Sequence, residues 1–153
     1  MTRPNLFSSE YEYDPVDPPG YRAGVARVGK LAGGKELAVK LFEVPAGEAL
    51  CPYHYEYVEE WLFVLDGEIR LRVPDDEHDL HPGDIVCFPS GPSGAHKLIN
   101  RSDAPAHVLM LSRDPDPAVA VYPDSDKIGV WTEDDHLMVR RADSKLDYYD
   151  GET

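Results

Sequence analysis

HYEYVEEW, residues 54–61, is the segment from which the architecture of the chain follows. It carries three side chains that can bind a metal ion, His54, Glu56 and Glu60. Residues two apart in an extended strand point to the same face, so His54 and Glu56 share a face. A tight turn after Glu56 would bring Glu60 back beside His54. The apolar run WLFVL that begins at Trp61 predicts a buried strand, which places this polar group against the core.

The composition limits the classes of protein to which the chain can belong. Its 153 residues predict one domain with a proper core. The 29 acidic residues outnumber the 15 Lys and Arg, and the net charge of −14 argues against nucleic acid and against anionic membrane surfaces as partners. No apolar run reaches the roughly 18–20 residues that span a bilayer. We therefore expect a soluble, cytoplasmic protein without a membrane partner.

The pattern along the chain is that of short strands separated by turns. Four prolines in residues 1–20 predict an extended N-terminal arm, and residues 21–153 form a single domain. The glycine-rich segment 29–35 predicts a hairpin loop, and Asp66-Gly67 predicts a tight turn. The predicted strands are 21–28, 36–44, 61–65, 68–73, 76–80, 85–88, 95–100, 106–112, 119–122, 128–131 and 137–141. Strands at this spacing, with almost no helical periodicity, indicate an all-β sandwich or barrel.

Two sequence motifs resemble those of the cupins. The first cupin motif, G(X)5HXH(X)3–4E(X)6G, is matched by Gly47, His54, Glu60 and Gly67, with one extra residue between Gly47 and His54. Glu56 replaces the second histidine of this motif. The residues that match the second motif, G(X)5PXG(X)2H(X)3N, with a loop two residues longer before its histidine, are Gly83, Pro89, Gly91, His96 and Asn100. Together these core motifs span residues 47–100.

The resemblance implies a fold and a ligand set. The fold is the double-stranded β-helix, a jelly-roll barrel. The implied metal ligands are His54, Glu60 and His96, with Glu56 at the fourth position. The chain is most similar in organisation to compact single-domain bacterial cupins, a group that includes uncharacterised and sugar-phosphate-isomerase-like members. The resemblance and the many aromatic residues outside the motifs also predict a homodimer.

The predicted donor set suits a divalent ion with open coordination positions. Two imidazoles and a carboxylate are the set that non-haem Fe(II) sites use. A second carboxylate, Glu56, adds negative charge and favours harder ions such as Mn(II) or Fe(II), with Zn(II) also accommodated. The alternative is a degenerate site without metal. Glu56 and Glu60 would then repel each other, and one of them would take up a proton.

The implied function is the binding of a divalent metal and a small oxygenated metabolite inside the barrel. Isomerisation, oxygenation and decarboxylation are the reactions within reach of such a site. The alternative is a non-catalytic small-molecule-binding or sensor cupin. A phosphorylated substrate would require a cationic group near the metal. Lys97 has the wrong parity relative to His96, and Arg70 and Arg72 are candidates only if the polar face of their strand points inward, where the apolar residues of that strand compete for the place. The sequence therefore gives little support to a phosphorylated substrate, and it assigns no catalytic or substrate-binding residue.

Overall fold

A computed structural model describes residues 2–144 and 146–152 of the chain. This part of the chain folds into twelve β-strands and one short α-helix, joined by turns and three 3₁₀ turns. The elements are β1 (Gly24–Ala26), α1 (Val28–Ala32), β2 (Leu37–Val44), β3 (Tyr55–Glu56), β4 (Glu60–Asp66), β5 (Ile69–Arg72), β6 (Glu77–Leu80), β7 (Ile85–Phe88), β8 (Lys97–Ile99), β9 (Ala106–Arg113), β10 (Ala118–Tyr122), β11 (Lys127–Trp131) and β12 (His136–Arg140).

The strands form three antiparallel sheets. The largest has the order β1-β2-β9-β4-β7, the second β12-β11-β10-β3, and the third β6-β5-β8. Neighbouring strands are often far apart in sequence, as in β2 and β9 or β5 and β8, so the chain crosses repeatedly between sheets. The crossing pattern is that of a jelly roll, which confirms the prediction of an all-β barrel.

The core lies inside the barrel, between the inward faces of these sheets. Its most buried side chains include Leu62 of β4, Ile69 of β5, Leu98 of β8 and Val108 of β9, each fully inaccessible to solvent. Burial of an aliphatic side chain of this size stabilises the fold by about 1.5–3 kcal/mol. The alternation predicted for β5 is present, because Ile69 and its neighbour two residues on are buried while the arginines between them face outward.

The outward arginines of β5 are tied to acidic partners. Arg70 makes a two-pronged ion pair with Asp79 of β6, with both N···O distances at 2.6 Å. Arg72 pairs with Asp124, at 2.6 and 3.0 Å, and its guanidinium lies 3.9 Å from the centroid of the Tyr53 ring. Neither arginine lines the interior cavity, as the sequence pattern predicted.

The outer face of the largest sheet is covered as well. Leu41 of β2 is fully buried there, with Ala26 of β1 and Val28 of α1 against it. The N-terminal arm crosses the same face, where Glu12 pairs with Val25 of β1 through two backbone hydrogen bonds of 2.9 Å. The part of β2 from Leu41 to Val44 is therefore covered on both faces, by the barrel interior and by the arm with α1, while Lys40 is exposed.

Two predicted segments differ from the structure. The segment 29–35 is not a plain hairpin loop, because its first residues belong to α1, which ends at Gly33 in the left-handed conformation (φ 92°). Gly29 lies in contact with β2, where a Cβ would meet the Val39 nitrogen at 3.0 Å, so this glycine serves helix packing rather than a turn. Strand β1 is also shorter than the predicted 21–28, since Val28 already belongs to the helix.

The region beyond residue 113 extends the second sheet. β10 and β11 form a hairpin around the 3₁₀ turn Pro123–Ser125, and β12 pairs with β11 as the predicted edge strand. β10 also pairs with β3, so this excursion helps to hold the segment that carries His54 and Glu56. Within the described residues, no helix has the length and apolar character needed to cross a membrane.

Candidate metal centre

Two of the predicted ligands are joined by the backbone of the barrel. The His54 N–H donates to the His96 carbonyl (N···O 3.1 Å), and the His96 N–H donates to the His54 carbonyl (2.8 Å). This isolated antiparallel bridge places the two imidazoles side by side, with ring centroids 4.8 Å apart. Both residues are buried, at 8% and 1% exposure, so the pair lies inside the barrel wall.

Glu60 completes a cluster of three potential ligands. It is the first residue of β4 and lies opposite Phe88 of β7, whose ring stacks on His96 at a centroid distance of 3.7 Å. The Glu60 Oε2 atom lies 4.0 Å from His96 Nε2. One ligand atom from each of His54, Glu60 and His96 can be chosen so that all three lie within 4.8 Å of one another.

This triad fits a divalent ion. Ligand atoms about 2.0–2.2 Å from a common ion are at most about 4.4 Å apart, so small side-chain rotations suffice to bring all three into coordination. His54 Nδ1 lies 3.0 Å from the Pro52 carbonyl, and His96 Nδ1 lies 2.9 Å from the Gly94 carbonyl. Each carbonyl accepts the Nδ1 proton, which leaves Nε2 of each imidazole as the ligand atom.

The electrostatics of the buried triad favour neutral imidazoles. Burial, followed by the neighbouring His54, lowers the pKa of His96 to about 3, and burial lowers the pKa of His54. Burial, followed by the charge of Glu56, raises the pKa of Glu60 to about 8, and burial also raises the pKa of Glu56. A metal ion needs neutral imidazoles, which are in place, and it displaces the carboxyl proton when it binds.

A cavity of about 170 Å³ opens beside the triad. Its volume is below the roughly 300–1,000 Å³ of sites for drug-sized ligands, which favours a small metabolite. The residues that line it are Ala38, Lys40, Phe42, Leu50, Cys51, His54, Glu56, Glu60, His96, Met110 and Ser112. Glu56 therefore shares the cavity with the triad but is not one of the three residues whose ligand atoms cluster within 4.8 Å. Its role as a fourth ligand stays a prediction.

Lys40 was missed by the sequence analysis, which considered only Lys97, Arg70 and Arg72 as cations near the cavity. Lys40 lies on β2 opposite Met110 of β9, on the inward face. Its charge lowers the pKa of both Glu56 and Glu60 against the larger effect of burial. The signal available in the sequence was its parity with Phe42, two residues further along the same strand.

Two further residues lie close to His54. The Tyr122 ring of β10 stacks on the His54 imidazole at a centroid distance of 5.9 Å, a contact that the sequence did not reveal. The Cys51 Sγ atom lies 3.5 Å from His54 Nδ1. Burial, followed by Glu60 and Glu56, raises the pKa of Cys51 to about 12, so this residue is a thiol at neutral pH. It is therefore not prepared to act as a thiolate ligand or nucleophile.

The tyrosines that alternate with the ligand positions face away from the site. Tyr53 and Tyr55 are buried in a separate apolar cluster with Ala95 and Val121, while Tyr57 is 56% exposed. This arrangement confirms the predicted alternation along residues 53–57. Residues 53–57 therefore have one face that packs away from the site and another that faces the cavity.

Comparison with known proteins agrees with this fold. Residues 40–112 match the family model described as the cupin domain, Cupin_2. These residues form a cupin domain, and the triad lies within it. No curated protein sequence matches the chain.

Solved structures share the fold over most of the chain. One is a sugar phosphate isomerase of the cupin superfamily from Silicibacter pomeroyi, 26% identical, with a TM-score of 0.82 over 95% of this chain and 97% of that one. Another is a proposed sugar phosphate isomerase from Acidithiobacillus ferrooxidans, 24% identical, with a TM-score of 0.82 over 93% and 92% of the two chains. Oxalate decarboxylase from Bacillus subtilis, a protein with Mn(II) centres, is 22% identical over 78% of this chain and 31% of its own, with a TM-score of 0.55.

Proposed function

We propose that the protein is a metal-dependent isomerase that moves a proton between adjacent carbons of a small hydroxy-carbonyl metabolite. One observation carries the proposal: Glu56 shares the cavity of the His54–Glu60–His96 triad without belonging to the triad itself. A carboxylate beside a metal triad supplies the base that proton transfer requires. The likeness to the Silicibacter pomeroyi isomerase, at 26% identity over nearly the whole chain, supports the same reaction class.

In this proposal the triad holds the ion. His54, Glu60 and His96 provide two neutral nitrogens and one carboxylate, a set that suits Mn(II) or Fe(II) and also accepts Zn(II). A divalent ion bound there would polarise the carbonyl and hydroxyl oxygens of the substrate. The imidazoles are held in place by their carbonyl partners and by the rings of Phe88 and Tyr122.

Glu56 acts on the substrate in this proposal. Its carboxylate takes the proton from the carbon next to the carbonyl, which gives an enediolate. The hydroxyl proton then passes to the former carbonyl oxygen, and Glu56 returns its proton to the former carbonyl carbon. One base can serve both steps because the cavity is small and the two carbons are adjacent. Phe42, Leu50 and Met110 form the apolar part of the cavity wall.

The first test separates metal binding from chemistry. Protein purified without chelators is analysed for Mn, Fe and Zn, beside the variants Glu60→Ala, His96→Ala and Glu56→Gln. We expect about one ion per chain in the unmodified protein and at least tenfold weaker binding in the first two variants, since each loses a ligand. Glu56→Gln should keep the ion. Absence of every candidate ion from the unmodified protein would end the proposal.

The second test is turnover. Short aldoses, ketoses and their phosphate esters are incubated with the metal-loaded protein in D₂O, and exchange of the carbon-bound proton is followed by NMR. We expect exchange in the unmodified protein and a loss of at least 100-fold in Glu56→Gln. Loss of metal in that variant would make Glu56 a fourth ligand instead, and binding without exchange would favour a sensor.

A further inference from the structure

We infer that the ligand of this site carries an oxyanion, a phosphate ester or a carboxylate, which Lys40 and Lys30 bind at the mouth of the metal cavity. This inference rests on the proposed function, because the reacting end of the substrate is taken to bind at the triad and its anionic end at the two lysines. The two lysines come from different elements, Lys40 from β2 and Lys30 from α1. Together they define what we call the cationic mouth.

The cationic mouth is a second cavity that borders the first. It has a volume of about 100 Å³ and shares Ala38 and Lys40 with the metal cavity. Its lining residues are Arg27, Lys30, Leu37, Ala38, Val39, Lys40 and Asp114. Because Lys40 lines both cavities, a molecule with its reacting carbons at the triad can place its other end against this lysine, with Lys30 in the lining of the second cavity.

The charges of the cationic mouth are unusual for this protein. The chain has 15 Lys and Arg against 29 acidic residues, yet three of those cations surround this small cavity and only one carboxylate, Asp114, lies among them. Arg27 is already paired with Glu12 of the N-terminal arm at 2.9 Å. The cavity therefore carries a local positive excess in an acidic molecule.

The two lysines are not neutralised by the protein itself. Among residues 2–144 and 146–152, neither Lys30 nor Lys40 has an ion pair or a side-chain hydrogen bond. The acidic residues of the metal cavity, Glu56 and Glu60, feel the charge of Lys40 through space without contacting it. Once an ion binds the triad, the negative charge of Glu60 is directed to the metal. Lys40 is then available to an external anion, for which lysine is a common partner.

The combined size restricts the ligand. The two cavities, of about 170 and 100 Å³, are smaller than a site for a drug-sized molecule. They suit a short chain with an oxygen-bearing carbon pair at one end and the anion at the other. The substrate class is therefore a short phosphorylated or carboxylated hydroxy-carbonyl compound.

Three probes with the same polyol end test the inference. They are glycerol, glycerate and glycerol 1-phosphate, which differ in having no anion, a carboxylate or a phosphate ester. Binding is measured by calorimetry to the Mn(II)-loaded protein and, in parallel, to the metal-free protein. We expect at least one anionic probe to bind ten times more tightly than glycerol, and the tighter of the two identifies the anion.

The variants assign this preference to residues. Lys40→Met should reduce the preference for the anionic probe at least fivefold, Lys30→Met should reduce it by a smaller factor, and Lys40→Arg should keep most of it because the charge remains. Arg101→Met is the matched control, since it removes the same charge from an exposed position that lines neither cavity. Circular dichroism verifies that each variant is folded.

The outcomes separate this inference from the proposed function. Equal binding of all three probes, or equal effects of Lys40→Met and Arg101→Met, overturns the oxyanion site even if metal and turnover are present. Metal-free protein that still prefers the anionic probe through Lys40 supports the oxyanion site even if no turnover is found. An anion preference that vanishes with the metal and ignores Lys40 places the anion on the ion and overturns the inference.

Discussion

Asn100 is the clearest case of a single residue on which the barrel depends. Its side chain is fully buried, and its amide donates to the carbonyls of Val44 and Ala104, both at 2.7 Å. The same amide oxygen accepts from the backbone N–H and the hydroxyl of Ser102, at 2.9 and 2.7 Å. The asparagine of the second motif therefore connects the end of β2 with the loop before β9.

Asn100→Ala should lower the free energy of unfolding, because it leaves buried donors and acceptors without partners. Each such group costs about 1–3 kcal/mol. Urea unfolding followed by fluorescence measures the change. Ser102→Ala is the control and should cost less, since it removes a hydroxyl from a more exposed position. If Asn100→Ala were as stable as the unmodified protein, the amide would not have this structural role.

Gly94 is a second residue that the site requires. A Cβ at this position would lie 1.8 Å from the Pro89 carbonyl oxygen, a distance at which the loop must move. Because the Gly94 carbonyl accepts the Nδ1 proton of His96, any shift of the loop also turns the imidazole.

Gly94→Ala should therefore weaken metal binding by roughly 10–100-fold, the range typical of lost ligand orientation. Competition with a fluorescent chelator measures the affinity. Ser93→Ala, an exposed neighbour in the same 3₁₀ turn, should leave the affinity unchanged. Equal affinities of Gly94→Ala and the unmodified protein would show that the loop adapts without moving His96.

The sequence predicted the triad but not the cation near it. The three ligands of the triad, His54, Glu60 and His96, occupy positions of the two motifs. The spacing of these motifs can be recognised in a single sequence. Lys40 lies outside both motifs, on a strand that is covered on both faces only from Leu41 onward. When both faces are enclosed, alternation of polar and apolar residues no longer tells which face is inward. The covering by α1 and the arm is a tertiary feature that a strand pattern cannot reveal.

At the level of elements, the N-terminal arm is fastened to the sheet by a charged cluster. The Tyr13 hydroxyl donates to the Glu43 carboxylate, and His107 Nε2 lies 2.9 Å from the other oxygen of the same carboxylate. The hydrogen bond from Tyr13, followed by the bond and charge of His107, lowers the pKa of Glu43 despite its partial burial. The charged form of Glu43 is therefore favoured in the folded state.

This cluster predicts an acid-dependent loss of stability. Because the folded pKa of Glu43 lies below its ordinary value of 4.5, its contribution is complete above pH 4.5 and disappears as the pH falls through the folded pKa. Urea unfolding at pH 7 and at pH 3 measures this contribution of Glu43 to the free energy of unfolding. Tyr13→Phe removes the largest cause of the shift, so the difference in stability between the variant and the unmodified protein should be larger at pH 7 than at pH 3. A difference independent of pH would argue against the cluster.

The elements themselves were largely predictable, with instructive exceptions. Asp66-Gly67 marks the β4–β5 turn, where Gly67 has φ 76° and a Cβ would lie 2.7 Å from the Pro105 carbonyl oxygen. Gly29, which precedes β2, has a different role, because its lack of a side chain allows α1 to lie against that strand. A glycine that relieves crowding and a glycine that forms a turn look the same in a single sequence.

At the level of the whole molecule, one face of the large sheet remains apolar and accessible. Trp61 and Phe63 of β4 lie in register with Cys87 and Ile85 of the edge strand β7, so the four side chains share the outer face. Trp61 is 37% and Ile85 58% exposed. The arm and α1 cover the opposite end of this sheet and leave this end open.

We propose that this face forms the interface of the predicted homodimer. Light scattering coupled to size exclusion should give twice the chain mass of 17.1 kDa. Ile85→Lys should shift the mass toward that of a single chain, because it places a charge at the centre of an apolar contact. Leu137→Lys, at an exposed position on the edge strand β12, is the control and should stay dimeric. A single-chain mass for the unmodified protein would refute the prediction.

Because a backbone bridge joins His54 and His96, binding of an ion at the triad would affect folding as well as chemistry. The two imidazoles are 42 positions apart (96 − 54 = 42) and meet only when the barrel is closed. An ion held by both would act as a removable cross-link over that loop, much as a disulfide restrains the unfolded chain. The thermal midpoint of unfolding should then rise with the concentration of free ion. A chelator that lowers this concentration should lower the midpoint accordingly.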